Sequence, residues 1–325
     1  MISLPQAPLS RAVSLEDCNK RLDGASLSGK NVLITGGASG VGAAIAQTYA
    51  EKGAYVTLVD INEDLGAQHV DFLVSRGHHA QFVRTDIASW DDQLHAFKAA
   101  TRFHPTHTLD IVIACAAILG SPFVTPTEPP FDLSSSSSDP PPPDVSPINI
   151  NTIGLTYTAK LAQLFFELPT STPTPTAPKS LVLFTSMLAY VGRLSQQRRL
   201  RGLFRDLRPL FARRGHRVNS VAPWLTRTPM TDGTKGGAAP DLVGLFARVG
   251  CPVAMGTEWA VRACMLVEEG EGLNGRVLAA SPDRVFDMRD DTEGNDGAKG
   301  LEYFHREVVP GWSDYVEQMR LISGR

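Results

Sequence analysis

A run of glycines near the start of the chain has the composition of a phosphate-binding turn. Residues 36–42 read GGASGVG, a G-x-x-x-G-x-G spacing that follows directly on an apolar run. Glycine lacks a Cβ, so the backbone there can turn tightly and approach a pyrophosphate. A helix beginning at Gly40 would direct its free N–H groups and the positive end of its dipole at the phosphates. The residues expected to contact the pyrophosphate are Gly36, Ser39, Gly40, Val41 and Gly42.

An acidic residue supports a dinucleotide site and indicates which nicotinamide cofactor it takes. Asp60 ends the second apolar run, about 20 residues after the glycines. Its carboxylate can accept hydrogen bonds from both hydroxyls of the adenosine ribose and would repel a 2′-phosphate. The glycine run holds no arginine or lysine that could bind such a phosphate. The sequence therefore favours NAD over NADP, and it disfavours a glycine-rich turn without any ligand.

Short β-branched runs alternate with helical patterns along the chain, which is typical of a parallel sheet with crossover helices. Strands are predicted at 31–35, 55–60, 81–86, 109–115, 181–185, 217–221 and 276–280. Helices are predicted at 40–52, 62–76, 90–102, 148–166, 198–214 and 257–268. We therefore expect the α/β class, as a Rossmann-type, doubly wound parallel sheet of about seven strands in a single domain, with helices on both faces.

The flanking and inserted segments differ in composition from this domain. We expect an N-terminal extension at 1–28, the dinucleotide-binding domain at 29–280 and a C-terminal tail at 281–325. Residues 120–147 are rich in serine and proline, which predicts an exposed, disordered insertion. A shorter Pro/Thr stretch at 169–178 predicts a surface loop. The tail is acidic around 287–296 and then amphipathic, as expected of a cap on the domain or a dimer contact.

Composition narrows the classes of partner and compartment. The 325 residues carry a net charge of −3 and no basic stripe, so nucleic acid and membrane surfaces are not expected partners. No apolar run reaches the ~18 residues of a membrane span. The four cysteines lack a CxxC spacing and the histidines lack a HExxH pattern, so no metal site is predicted. These features favour a cytoplasmic protein with a small-molecule substrate.

Taken in order, these and further motifs resemble the short-chain dehydrogenase/reductase family. They are Thr35-Gly36-x-x-x-Gly40-x-Gly42, Asp60, Asp86-Ile87, Asn151, Ser186, the run 217–223 and Thr228-Pro229-Met230. They cover about 27–280, and within the family the chain is most similar to fungal enzymes of secondary-metabolite clusters, akin to 15-hydroxyprostaglandin dehydrogenases. The resemblance implies NAD(P)-dependent oxidation or reduction of an alcohol or ketone. It also implies a homo-oligomer that pairs through the helices beginning near 148 and 198.

The resemblance also implies roles for single residues. Asp86 and Ile87 would contact the adenine, and Thr228 the nicotinamide carboxamide. Ser186 would hydrogen-bond the reacting oxygen of the substrate, and Asn151 would support a water that relays protons. Ala116 would contact the cofactor from the run after the fourth strand.

Two departures from the family pattern stand out. The family's Asn-Asn-Ala-Gly after the fourth strand is Ala-Cys-Ala-Ala at 114–117. The family's Tyr-x-x-x-Lys is missing: the tyrosine position, 13 residues past Ser186, is Arg199, and a different anchor gives Arg193 and Gln197. Arginine stays protonated and cannot act as the general acid/base that the tyrosine supplies. Tyr190 is the nearest phenol and the candidate substitute.

Three explanations of the missing pair stay open at this point. In the first, the sequence lacks a short segment lost at an intron edge, and the intact protein is an ordinary dehydrogenase. Alternatively, the fold binds cofactor and substrate but catalyses an isomerisation, a cyclisation or an altered redox step. In the third, the protein binds its ligands as a partner subunit and turns nothing over.

Overall fold

Eight strands among the described residues form the sheet that carries the glycine run. A computed structural model describes residues 10–120, 142–169, 178–191, 195–233, 241–270, 272–291 and 293–322. The strands are β1 (Asn31–Thr35), β2 (Tyr55–Asp60), β3 (Ala80–Arg84), β4 (Ile111–Ala114), β5 (Ser180–Phe184), β6 (Arg217–Pro223), β7 (Val277–Ala280) and β8 (Val285–Asp287). Their spatial order is β3-β2-β1-β4-β5-β6-β7-β8, with β1 to β7 parallel and β8 antiparallel to β7.

Helices cover both faces of this sheet. They are α1 (Leu15–Asn19), α2 (Gly40–Glu51), α3 (Glu63–Val74), α4 (Trp90–Phe103), α5 (Ser146–Ile148), α6 (Leu155–Phe166), α7 (Ser195–Ala212), α8 (Leu242–Arg248), α9 (Glu258–Glu269), α10 (Ala298–Tyr303) and α11 (Trp312–Ile322). Leu33 of β1 packs in one apolar cluster with α4, α6 and α7, whereas its neighbours Val32 and Ile34 pack in a second cluster with α2, α3 and α9. Successive strand residues point to opposite faces, so the two clusters lie on opposite sides. The predicted doubly wound α/β fold is confirmed.

The strand order reverses beside β1. The chain runs outward from β1 through β2 to β3 and then returns to β4 on the other side of β1. Thr35 at the end of β1 is in register with both Val59 and Ala114. In sheets of this kind ligands bind in the crevice beyond the carboxyl ends of the strands at such a reversal. The glycine run therefore begins at the position where the topology opens a ligand site.

The sheet has one strand more than expected, and it comes from the tail. β8 is only three residues long and pairs with β7 through Ala280 and Val285. A three-residue run is too short to predict from alternation, and its pairing partner decides its conformation. Beyond it, the tail forms α10, a π-helical turn (Phe304–Val308) and α11.

Part of the N-terminal extension lies along β8. The backbone N–H of Val13 donates to Asp287 at 3.0 Å, and the Arg276 guanidinium donates to the carbonyl of Ser10. Arg262 of α9 donates to the carbonyl of Cys18 at 2.8 Å, and α1 packs against β8. Residues 10–18 and β8 of the tail therefore meet at the same edge of the sheet.

The helix predicted at 148–166 is not uniform. A π-helical segment, Asn149–Gly154, lies between α5 and α6. Such wide turns often occur at functional sites because they displace a residue from the regular helical spacing. Asn151 lies in this segment and is buried.

Two predicted segments fall largely outside the described residues. Most of the serine- and proline-rich insertion lies at 121–141, and most of the Pro/Thr loop lies at 170–177. None of the helices that the structure describes is both long enough and apolar enough to span a bilayer.

Candidate active site

The glycine run turns so tightly that side chains would not fit. Gly36 has φ +71°, and a Cβ on it would lie 2.8 Å from the Cα of Ala116. A Cβ on Gly42 would lie 2.1 Å from the carbonyl oxygen of Gly36. Real Cβ atoms do not approach backbone this closely, so both positions require glycine. The turn also brings Ala116, at the end of β4, against the glycines.

The first turn of α2 is open to a ligand. Ser39 is its N-cap residue, but the serine side chain makes no capping hydrogen bond. The N–H groups of the first helical turn have no intrahelical acceptor, so those of Gly40, Val41 and Gly42 are available to an anion. Together with the missing Cβ atoms, these donors form a cradle whose chemistry suits a pyrophosphate.

Asp60 is held in place by the loop that it helps to shape. Its Oδ2 accepts from the N–H of Ala38 at 3.1 Å, and its Oδ1 accepts from the N–H of Asn62 at 3.0 Å. A carboxylate has about four lone-pair sites. Roughly half of its accepting capacity therefore stays available for ribose hydroxyls, and the two backbone bonds fix its orientation.

The end of β3 presents Asp86 and Ile87 to the same crevice. Asp86 accepts from the N–H of Ala88 at 2.9 Å and donates its own N–H to Asp92 at 3.0 Å. Ile87 is buried, and a Cβ on Gly154 would lie 2.5 Å from its side chain. The π-helical segment therefore packs against Ile87.

The side chain of Thr35 holds the backbone just beyond the end of β4. The Oγ1 of Thr35 accepts from the N–H of Cys115 at 3.1 Å and from that of Ala116 at 3.2 Å. This ties β4 to β1 beside the glycine turn. Burial raises the pKa of Cys115 to about 12, so its thiol stays neutral near pH 7. Neither of these two hydrogen bonds to Thr35 was predicted, although the residue belongs to the glycine motif.

Asn151 joins the π-helical segment to the chain that follows β4. Its Oδ1 accepts from the N–H of Ile118 and its Nδ2 donates to the carbonyl of Ile118, both at 2.9 Å. The side-chain amide thus bonds both the backbone N–H and the backbone carbonyl of one residue. The contact fixes Ile118 at the edge of the crevice.

Ser186 lies at the carboxyl end of β5, at the start of a 3₁₀ turn (Met187–Ala189). Its Oγ accepts from the N–H of Leu188 at 3.1 Å. This bond uses the oxygen as an acceptor, so the hydroxyl hydrogen can be donated to a substrate oxygen. The side chain is half-buried.

The loop after β6 reaches the glycine turn. A Cβ on Gly40 would lie 3.4 Å from both Cβ and Cγ2 of Thr228. Thr231 holds this loop, since its hydroxyl donates to the carbonyl of Thr226 at 2.6 Å and accepts from the N–H of Thr228 at 3.0 Å. The loop closes over the amino end of α2. Thr231 was not singled out from the sequence.

Tyr190 is engaged with the tail. Its hydroxyl donates to Oδ2 of Asp290 at 2.8 Å, and the Arg201 guanidinium lies 4.6 Å from its ring centroid. Burial and then the Asp290 carboxylate raise the pKa of Tyr190 well above its ordinary value. Arg199, at the family's tyrosine position, is exposed on α7, and the alternative position 193 lies outside the described residues. Asp290 was not predicted, because no sequence pattern links it to Tyr190.

Comparisons with known proteins show which chains this one is similar to. The family model for short chain dehydrogenases matches residues 30–139. The 5′-hydroxyaverantin dehydrogenase of Dothistroma septosporum is 35% identical over 295 residues, which covers 86% of this chain and 93% of that protein. The 5′-hydroxyaverantin dehydrogenase stcG of Emericella nidulans is 32% identical over 314 residues, which covers 88% and 95%.

Solved structures are similar in fold. A dehydrogenase/reductase from Sinorhizobium meliloti has a TM-score of 0.62 at 20% identity, over 80% of this chain and 97% of that one. A short chain dehydrogenase from Burkholderia cenocepacia, solved in complex with NADP, has a TM-score of 0.58 at 24% identity, over 79% and 98%. This chain belongs to the short-chain dehydrogenase/reductase family, because it is 32–35% identical to two fungal dehydrogenases over most of its length.

Proposed function

We propose that the protein is a nicotinamide-dependent oxidoreductase that interconverts an alcohol and a ketone on a small secondary metabolite. The observation that carries the proposal is the meeting of three parts at one edge of the sheet. The uncapped amino end of α2 suits a pyrophosphate, Asp60 suits a ribose, and Ser186 suits the reacting oxygen. The names of the two fungal relatives support an alcohol such as the hydroxyl of 5′-hydroxyaverantin.

The cofactor residues divide between its two ends. The glycine run and the first turn of α2 would hold the pyrophosphate, and Asp60 would hold the adenosine ribose. Asp86 and Ile87 would contact the adenine, with Ala116 between the two halves. Thr228 would bind the nicotinamide carboxamide, because its loop reaches the amino end of α2. When bound, the dinucleotide supplies the hydride acceptor or donor.

Ser186 would orient the substrate. Oxidation of an alcohol removes a hydride from carbon and a proton from the hydroxyl, so the oxygen must be held while charge changes on it. The free hydrogen of the Ser186 hydroxyl can donate to that oxygen and stabilise it. Asn151, through its paired bonds to Ile118, would fix the backbone beside a water that carries the proton.

The state of Tyr190 does not suit a general base, and a protein without such a base is the alternative candidate, which binds cofactor and substrate without redox turnover. A general base should have a pKa near the working pH. Burial and Asp290 shift the pKa of Tyr190 in the opposite direction, and its proton is already donated to the Asp290 carboxylate. A protein that catalyses a non-redox isomerisation or cyclisation would also need no redox turnover, so it belongs with this candidate. Tyr190 is therefore the weakest of the proposed catalytic residues.

We further infer NAD as the preferred cofactor, since the Asp60 carboxylate would face a 2′-phosphate. Exposed leucines on and beside α6 and α7 support a homo-oligomer that pairs through these helices: Leu164 is 43% exposed, Leu168 40% and Leu210 50%. The four free thiols fit a reducing compartment such as the cytoplasm.

The test is a turnover assay on the purified protein. NADH formation or loss is followed spectroscopically with 5′-hydroxyaverantin and a panel of secondary alcohols and ketones. Ser186→Ala serves as the active-site variant, and Ser75→Ala, in an exposed turn after α3, is the matched control. We expect turnover that Ser186→Ala lowers by roughly a hundredfold, as for loss of one oxyanion donor.

Product analysis separates the alternatives. A substrate that changes without any change in NADH would replace the redox assignment by an isomerase or cyclase. A melting temperature that rises with NAD, with no substrate altered, would leave a binding protein. Turnover that is equal in Ser186→Ala and the unmodified protein would remove Ser186 from the site.

A further inference from the structure

A single buried carboxylate in the tail gathers three arginines of α7. The Asp290 side chain is 0% exposed. Arg201 donates to it through Nε and Nη2, both at 2.9 Å, in a bidentate pair. Arg205 donates to it as well, through Nε at 3.2 Å and through Nη2. Arg208 donates to the Asp290 carbonyl at 2.7 Å.

The spacing of these arginines makes them one face of the helix. Arg201, Arg205 and Arg208 follow at intervals of four and three residues, which places them in one stripe. Burial alone would raise the pKa of Asp290, but the hydrogen bonds from Arg201 and Arg205 outweigh it and hold that pKa far below its ordinary value. Near neutral pH the carboxylate is thus charged, and both of its oxygens accept hydrogen bonds.

The same carboxylate holds the turn that begins with Ser186. Tyr190 donates its hydroxyl to Asp290 at 2.8 Å. The turn between Ser186 and Tyr190 is closed by backbone bonds, from Ala189 N–H to the Ser186 carbonyl at 3.0 Å and from Tyr190 N–H to the Met187 carbonyl at 2.9 Å. A position fixed at Tyr190 is therefore transmitted to Ser186 through one rigid turn.

The tail is shaped to fit the tyrosine ring. Gly297 has φ +89°, and a Cβ there would lie 2.9 Å from Cε1 of Tyr190. Just before it, Asn295 and Asp296 have φ +52° and +55°, and Arg289 has φ +53°. Non-glycine residues in this region cost about 1 kcal/mol or more each and persist where the surroundings hold them. Ion pairs hold this segment: Arg205 pairs with Asp290 and Asp296, and Arg276 pairs with Asp291.

We propose that Asp290 is a positioning residue for the reaction: through Tyr190 it sets the orientation of the Ser186 hydroxyl and couples it to α7 and the tail. The inference rests on the proposed function for its effect on turnover. The structural coupling itself does not depend on that function. Tyr190 acts in this arrangement as the anchor of the turn, and its hydroxyl exchanges no proton with substrate.

The experiment compares Tyr190→Phe with Tyr303→Phe. Tyr190→Phe removes only the hydroxyl that reaches Asp290. Tyr303→Phe is the matched control, because it removes another phenol of the tail, which bonds Arg284 at 3.1 Å. Asp290→Asn and the double variant with Tyr190→Phe complete the set, and Asp283→Asn, an exposed partner of Arg284, controls the charge change. Melting temperatures, NADH affinity, kcat and KM are measured for each.

We expect kcat to fall about tenfold in Tyr190→Phe, since small displacements of a reacting group have effects of this size or larger. NADH affinity should stay within about twofold, because the glycine run lies on other strands. The double variant should be no slower than Asp290→Asn, because the two changes act on the same contact, the hydrogen bond between Tyr190 and Asp290. Hydrogen–deuterium exchange at residues 187–191 should be faster in Tyr190→Phe and unchanged in Tyr303→Phe.

The two arms fail separately. If the unmodified protein turns over none of the substrates, the proposed function fails, and the exchange rates alone decide the coupling. Unchanged exchange at 187–191 in Tyr190→Phe would overturn the inference whatever the activity. So would a kcat of Tyr190→Phe equal to that of the unmodified protein. Because Tyr190→Phe keeps the buried charges paired, the test does not depend on Asp290→Asn folding.

Discussion

Thr228 lies directly against Gly40: both its Cβ and its Cγ2 are 3.4 Å from the position that a Cβ on Gly40 would occupy. The loop after β6 and the turn after β1 therefore meet, although β4 and β5 lie between those strands. A dinucleotide that lies along the crevice from Asp60 towards Ser186 would pass this contact. Substitutions there should change cofactor binding before they change stability.

Gly40→Val should abolish cofactor binding. Gly40 has φ +56°, and the branched side chain would both strain the backbone and press on Thr228. We expect the Kd for NADH to rise at least about a hundredfold, with a stability cost of about 1–3 kcal/mol. Fluorescence titration and urea unfolding measure the two effects. Binding equal to that of the unmodified protein would exclude the pyrophosphate cradle.

Gly202→Ala is the control for that variant. Gly202 lies within α7, and a Cβ there would meet nothing within 4 Å. Alanine is the better helix former, so this variant should bind NADH normally and gain about 0.5–1 kcal/mol. A loss of binding in Gly202→Ala would show that the titration responds to glycine replacement in general.

Asp60→Ala should weaken NADH binding and narrow the preference over NADPH. Hydrogen bonds to a charged group contribute about 1.5–3 kcal/mol, which predicts a Kd for NADH raised roughly tenfold to a hundredfold. Loss of the carboxylate should at the same time improve NADPH binding. The matched control is Asp71→Ala, on the exposed side of α3. If the ratio of the two affinities does not move, Asp60 does not face the ribose.

Thr35→Val should weaken the join between β1 and β4. The valine has the same shape but cannot accept from the N–H groups of Cys115 and Ala116. Each unsatisfied group costs about 1–3 kcal/mol, so we expect a loss of at least about 2 kcal/mol in urea unfolding. Thr48→Val, whose hydroxyl bonds only Ala44 within α2, should cost less. Equal losses in the two variants would contradict the role of Thr35.

The contribution of Asp290 to stability should depend on pH. Its pKa in the folded protein is held far below the ordinary value, so its stabilisation is fully present above the unfolded pKa of about 3.9 and is lost progressively as pH falls from there through the lower folded pKa. Near pH 7, Asp290→Asn should cost about 1.5–3 kcal/mol, since it removes the charged acceptor of the partly exposed Arg201 and Arg205. Urea unfolding of both proteins from pH 7 down to about pH 3 should show the gap shrinking. A gap that stays constant over this range would mean that Asp290 is not charged in the folded protein.

The central strands could be predicted because their burial gives a local run of apolar residues. β1 and β2 were predicted to the residue, since apolar runs bounded by polar turns leave little choice. β8 could not be, because three residues acquire strand geometry only by pairing with β7. The Thr35 contact with Cys115, 80 positions away, and the Tyr190 contact with Asp290, 100 positions away, depend on the folded topology. The glycine turn and Asp60 could be predicted from the sequence, because their spacing is local and their chemistry restricts the residue type.

The segment around Val13 and Cys18 has a further consequence for how copies of this chain behave together. A strand at the margin of a sheet offers a row of unsatisfied backbone groups, which invites another molecule to add a strand. β8 is such a strand, and α1 with the contacts at Ser10, Val13 and Cys18 shields it. Removal of residues 1–20 should therefore favour aggregation through β8, even where the crevice and its ligands are left untouched.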